Sequence, residues 1–192
     1  LDLAAFQRIP TALITGTNGK TTTTRLLARM LREAGRHVGT TSTDGLTLDG
    51  ELVDAGDWTG PGGARALLRD RRVEVAVLEA ARGGMLRRGL AIDGVDVAAV
   101  TNVSNDHLGE WGIDTVAAMA EVKLLVADAI RAGGRLVVGD DREGPLMAAL
   151  RRRGLPSGVE VLRFPVQSFT PPSGPGRLGA WTEGDALVLD DG

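Results

Sequence analysis

The chain has 192 residues, 43% hydrophobic and 24% charged, with a formal net charge of −3. That length suits about one domain, no apolar run approaches the ~18 residues of a membrane span, and the opening LDLAAFQRIP lacks the pattern of a secretion signal. Zero cysteines exclude disulfides, thiolate metal sites and cysteine nucleophiles, and the acidic balance argues against a nucleic-acid partner, whose binding draws on phosphate neutralisation.

In chain order, Thr11–Thr15 reads as a short buried strand followed by a glycine turn. Thr22–Ala34 carries Leu26, Leu27, Met30 and Leu31 at helical spacing, and Gly35 ends it. His37–Thr41 is a second strand, and Gly45–Val53 a hairpin around Asp49-Gly50. Gly56–Gly63 is a Gly/Pro-rich loop before a short helix, Ala64–Arg71. Val73–Ala80 and Val95–Thr101 are apolar strands. Thr115–Arg131 is expected to be one long helix with Asp114 as its N-cap. Arg135–Gly139 is a strand, Pro145–Arg153 a helix and Val159–Phe164 a strand. After the Pro/Gly loop Ser168–Gly176, Leu178–Thr182 and Ala186–Leu189 read as an antiparallel pair. Strands alternating with helices predict an α/β fold, a mainly parallel sheet with helices on both faces. The chain begins just before its first strand and stops just after its last, so a longer parent protein is expected. A cytoplasmic setting, without membrane partners, fits the composition.

The strongest motif is Thr15-Gly16-Thr17-Asn18-Gly19-Lys20-Thr21-Thr22-Thr23, between a strand and a helix. There, backbone N–H groups and the helix dipole bind phosphate, and glycines let the backbone approach closely. Lys20 can reach terminal phosphates and the Thr21 hydroxyl can ligate Mg²⁺. A general P-loop wants glycine at position 14, which here is Ile, so this loop is shorter. An ordinary strand–turn–helix with a stray lysine is the alternative.

The loop TGTNGKTTT resembles the ATP-binding loop of the Mur ligase family, ATP-dependent amide-forming enzymes with a three-domain plan whose central domain is the ATPase. The resemblance implies a P-loop-type sheet, with residues 1–192 as that central domain. It implies ATP contacts from Gly16, Thr17, Asn18, Gly19, Lys20, Thr21 and Thr22, and Mg²⁺ as cofactor.

Glu79 ends an apolar run, where a carboxylate is costly unless paired or metal-bound. It lies at a strand's carboxyl end, the rim where α/β sheets bind ligands. An ion pair with Arg82 is the alternative. The segment Asn102-Val103-Ser104-Asn105-Asp106-His107 follows the next strand and resembles the family's Asn-x-x-x-Asp-His signature. The resemblance implies that His107 and Glu79 share a magnesium ion; Asn102 and Asp106 read as residues that order the loop. His37, the other histidine, reads as a surface residue.

Only two of 22 basic residues are lysine, Lys20 and Lys123. On a helical wheel Val116, Met119, Ala120, Val126, Ala127 and Ile130 surround Lys123, and Glu121 and Asp128 point away. Burial favours an uncharged amine, the form that reacts with CO₂. Several Mur ligases carry a carbamylated lysine at this place; a snorkelling surface lysine is the alternative.

Three further stretches, Thr40–Gly45, Gly56–Pro61 and Leu78–Gly84, resemble the Mur-ligase half of the cyanophycin synthetases. The family's Asn-Ala-Asp-Asp becomes Gly139-Asp140-Asp141 here. Thr41, Thr43 and Asp44, with Arg82, are candidates to hold a substrate carboxylate, Arg being suited to bidentate contacts; a hydroxyl-rich turn and a surface ion pair are the alternatives. The implied activity is ATP-dependent ligation of a carboxylate to an amino-acid amine through an acyl phosphate, with Lys20, Lys123 and Arg82 as catalytic candidates. A regulatory nucleotide-binding module, or an ATPase or kinase of another P-loop family, remains open. A GTPase is disfavoured because no Asn-Lys-x-Asp motif is present.

Overall fold

The computed structural model describes residues 9–90, 92, 94–105, 108–165, 179–183 and 186–190, the last two stretches as backbone. The elements are β1 (Thr11–Thr15), α1 (Lys20–Glu33), β2 (Val38–Thr41), β3 (Gly45–Leu48), β4 (Glu51–Ala55), α2 (Pro61–Leu68), β5 (Val75–Glu79), α3 (Arg82–Arg88), β6 (Val95–Val100), α4 (Val116–Lys123), β7 (Ile130–Asp140), α5 (Pro145–Arg153), β8 (Glu160–Pro165), β9 (Gly179–Glu183) and β10 (Ala186–Asp190). One sheet runs β4-β3-β2-β5-β1-β6-β7-β8. From β2 to β8 all neighbours are parallel, while β3 and β4 add an antiparallel edge. β9 and β10 pair antiparallel as expected.

Successive side chains of a strand point to opposite faces, and both faces here are covered. Leu13, Leu78, Ala98 and Val100 pack with Ala64 and Leu67 of α2, Met85 of α3, Ala120 of α4 and Leu146 and Leu150 of α5. Ile14 and Val77 pack on the other face with Ala28 of α1 and Val38. Burial on both faces explains why these strands read as unbroken apolar runs. β1 lies between β5 and β6. The chain leaves β1 toward β2 but leaves β5 across to β6, so the order of strands reverses beside β1. Ligands of open α/β sheets bind at such a point, outside the carboxyl ends.

Several boundaries differ from expectation. α1 begins at Lys20, on a left-handed Gly19 (φ 81°), rather than at Thr22. α2 starts at Pro61, whose fixed φ favours a first helical position, and ends at Leu68. The expected helix Thr115–Arg131 is α4 only to Lys123, then a 3-10 segment, Leu124–Ala129, then β7 from Ile130. Leu124, Val126, Ala127, Ala129 and Ile130 are all buried, so this stretch has little polar face to keep a surface helix in place. Its N-cap is Thr115, whose Oγ1 accepts from the Ala118 N–H at 3.1 Å, not Asp114. α3 was not expected: two of its seven residues are glycine, a weak helix former. Among the described residues no helix is long and apolar enough to cross a membrane.

Candidate functional site

The loop after β1 is fastened to the end of β6. The Thr17 N–H donates to Asn102 O (3.0 Å), and the Thr17 hydroxyl accepts from the Ser104 N–H (3.1 Å). Asn18 and Asn102 exchange two hydrogen bonds, Asn18 N–H to Asn102 Oδ1 and Asn102 Nδ2 to Asn18 O, each 3.1 Å. Thr101 Oγ1 donates to Asn18 O at 2.6 Å. Gly16 is required here: its φ is 154°, and a Cβ would lie 1.8 Å from Thr101 Oγ1. Lys20 folds over the loop, its Nζ donating to the carbonyls of Gly16 and Thr17 at 3.0 Å each. A cradle of backbone N–H groups with one ammonium above it is an anion site.

Glu79, at the end of β5, is 2% exposed. One carboxylate oxygen accepts from the Thr21 hydroxyl at 2.9 Å, while Oε1 is buried with no hydrogen-bond partner. Burial pushes the Glu79 pKa up, and the Thr21 hydrogen bond and the Lys20 charge pull it partly back. A buried carboxylate oxygen without a donor is an unbalanced cost. A hard divalent cation would balance it. Magnesium is commonly held by one or two carboxylates, a hydroxyl and substrate phosphates, with several waters. The Thr21–Glu79 pair fits that role, although among the described residues no cluster of three His, Asp or Glu side chains occurs. His107 lies outside the described residues, as does Asp106.

Beside this pair opens a cleft of ≈ 290 Å³ containing Gly16, Thr17, Lys20, Arg82, Arg87, Glu110, Trp111 and Lys123 among its lining residues. All three catalytic candidates, Lys20, Arg82 and Lys123, therefore share one cavity. Lys123 is 4% exposed, which removes the snorkelling alternative. Arg82 pairs with Glu110 rather than with Glu79. The substrate candidates are less united. Thr41 is buried and, with Glu79, lines a separate small cavity; Thr43 is exposed; Asp44 is exposed and bonds to Arg25 at 2.6 Å. Thr22 is exposed at the start of α1. His37 is on the surface as expected, bonded to Asp49 at 2.8 Å. Glu110, Trp111 and Arg87 were missed by sequence reasoning. Glu110 joins Arg82 across 28 positions, and no local pattern signals that.

A family model described as the Mur ligase middle domain matches residues 14–169. The chain belongs to this Mur ligase family. It is 53% identical over 145 residues to a cyanophycin synthetase of Geminocystis herdmanii, a match covering 76% of this chain and 16% of that protein. It thus spans about a sixth of the length of the cyanophycin synthetases it matches. Among solved structures, a Mycobacterium tuberculosis folylpolyglutamate synthase complexed with ADP and AMPPCP superposes with a TM-score of 0.69 at 21% identity. That match covers 98% of this chain and 49% of the other. A UDP-N-acetylmuramoyl-L-alanyl-D-glutamate–2,6-diaminopimelate ligase gives 0.65 at 21% identity, over 90% and 34%. At that identity the structural matches establish the Mur-type fold.

Proposed function

We propose that this chain is the ATP-binding central domain of a longer, cytoplasmic carboxylate–amine ligase of the cyanophycin-synthetase type. The observation that carries the proposal is the Thr21–Glu79 pair, with one buried carboxylate oxygen unpartnered, beside a loop of Gly16, Gly19 and Lys20. Family membership and the nucleotide complexes named for a structural neighbour support it.

In this reading the N–H groups of Gly19, Lys20, Thr21 and Thr22, at the start of α1, wrap the ATP phosphates, while those of Thr17 and Asn18 hold the loop to Asn102. Lys20 leaves its two carbonyl acceptors to neutralise the terminal phosphate. Thr21 and Glu79, with His107 by the family's pattern, would hold Mg²⁺, which would spread the charge of the phosphates. Arg82 orients the substrate carboxylate for attack on the γ-phosphorus, giving an acyl phosphate and ADP. An amino-acid amine then displaces phosphate and leaves an amide. Lys123, buried, lines the same cleft as Lys20 and Arg82. Catalysis of this kind is positioning and charge neutralisation.

The test is calorimetry of Mg-ATP binding with wild type and Lys20→Ala, followed by ADP release from the full-length enzyme over a panel of carboxylate–amine pairs. Loss of binding in the variant, with ADP release that needs both substrates, supports the ligase. Tight ATP binding with no pair-dependent release would make the chain a regulatory module instead.

A further inference from the structure

Among the described residues that line the 290 Å³ cleft, four are cations, Lys20, Arg82, Arg87 and Lys123, and one is a carboxylate, Glu110. In the ligase reading Lys20 serves the terminal phosphate and Arg82 the reacting carboxylate, and Lys123 is buried beside them. Arg87 has no such role. It is exposed, in the last turn of α3. Among the described residues no carboxylate or carbonyl oxygen partners its guanidinium, which lies instead over the ring of Trp111, 4.5 Å from the centroid.

Trp111 reaches that position against two costs. Its φ is 59°, in the left-handed region where a bulky side chain is an outlier. It is the first central residue of a tight turn, Trp111-Gly112, closed by the Gly109 N–H donating to Ile113 O at 2.9 Å and the Ile113 N–H to Glu110 O at 3.2 Å. Turns with positive φ at both central residues favour asparagine, aspartate or glycine there. The second cost is that Trp111 stays 56% exposed, so burial does not offset the strain. Strained backbone of this kind recurs at ligand clamps. What it achieves here is the stack beneath Arg87. An aromatic face under a guanidinium fixes its plane and leaves the in-plane N–H donors for a planar anion.

We propose that Arg87, positioned by Trp111, is a second anion anchor in the cleft. It takes a carboxylate of the substrate other than the one that reacts, and so selects acids that carry two. The proposal rests on the ligase reading, with Arg82 at the reacting carboxylate. Arg82 and Arg87 are five residues apart in one helix, about 7.5 Å along its axis, so the two carboxylates belong at the ends of a short chain rather than on one carbon. A carboxylate accepts two parallel N–H bonds from a guanidinium. An acid without the second group leaves Arg87 solvated as before and gains nothing from it, so discrimination comes from the added contact.

The experiment is calorimetry of the full-length protein with glutarate and valerate, acids of equal carbon count with two carboxylates and one. Wild type is expected to bind glutarate about tenfold more tightly, the scale of one charge-assisted contact. Arg87→Gln should reduce that ratio to roughly threefold or less, what the other cations give at a distance. Arg87→Lys, which keeps the charge but not the planar fork, should restore only part of it. Trp111→Leu should lower the ratio and Trp111→Phe recover much of it, a rescue that a purely structural turn residue would not show. A wild-type ratio near one overturns the proposal, as does an Arg87→Gln or Trp111→Leu ratio equal to wild type, or full recovery in Arg87→Lys. If Arg87→Gln weakens Mg-ATP binding as much as glutarate binding, Arg87 serves the nucleotide phosphates and the proposal falls. If the ratios behave as expected but no carboxylate–amine pair supports turnover, the ligase reading fails and the dicarboxylate anchor stands.

Discussion

Gly16→Ala offers the sharpest test of the phosphate loop, because two independent penalties meet at one atom. The backbone there has φ of 154°, which L side chains rarely adopt, and the new Cβ would stand 1.8 Å from Thr101 Oγ1, 3.0 Å from Thr101 Cβ and 3.3 Å from Asn102 N. An ordinary carbon contact needs roughly 3.5 Å, so the loop and the end of β6 must part by more than 1 Å. The strained backbone alone costs about 1–3 kcal/mol, equivalent to roughly 5-fold to 150-fold in Mg-ATP affinity if the loop absorbs it. If the fold absorbs it instead, the Tm drops by about 2–12 °C. Calorimetry with Mg-ATP and a thermal melt together read both routes. Thr101→Ala removes the nearest atom but also the donor to Asn18 O. The double variant should therefore recover part, not all, of the loss, a coupling that a double-mutant cycle resolves. Wild-type affinity and Tm in Gly16→Ala would refute the account of the loop.

Glu79→Gln should raise the Tm of the metal-free protein, because it removes a buried charge with an unpartnered oxygen at a cost of roughly 1–3 kcal/mol. It should also make ATP binding insensitive to added Mg²⁺; a magnesium response equal to wild type would remove Glu79 from the metal site. Thr115→Ala should destabilise by about 1 kcal/mol, the worth of an N-cap, and Asp114→Ala by much less, because only Thr115 caps α4. Equal losses in denaturant melts would put the cap elsewhere. Lys123→Arg should sharply reduce turnover of the full-length enzyme despite keeping the charge, since a larger group must fit where Lys123 is 4% exposed. If Lys123 acts as a carbamate, a short carboxylic acid should partly restore Lys123→Ala, and full activity in the Arg variant would make the residue a helix position only.

The parts of this fold that could be read from the sequence are those whose signal is local. The phosphate loop announces itself because glycines, lysine and hydroxyls fall within nine residues at a strand–helix junction. The core strands announce themselves because both their faces are buried. Lys123 illustrates a right conclusion from a partly wrong premise. The helix expected to run on to Arg131 ends at Lys123, yet Met119 and Ala120, one turn earlier, already fix the buried direction. The 3-10 segment beyond continues into the core. α3 was illegible because its helicity comes from Met85 packing beneath it, against two glycines that oppose it. A run of hydroxyls and an aspartate reads as a ligand site, and what the sequence could not show is that Asp44 bonds Arg25 of α1 at 2.6 Å.

The remaining step concerns how the rim is held together. The Thr17–Asn102, Asn18–Asn102, Asn18–Thr101 and Thr17–Ser104 hydrogen bonds make the end of β6 part of the phosphate loop itself. The partners lie more than 80 positions apart in sequence, so the loop cannot take its shape until β6 has docked beside β1. Preorganisation therefore resides in the sheet. A nucleotide that draws Lys20 from the carbonyls of Gly16 and Thr17 acts on a loop whose Thr17 is already bonded to Asn102 and Ser104, and whose Asn18 is bonded to Thr101 and Asn102.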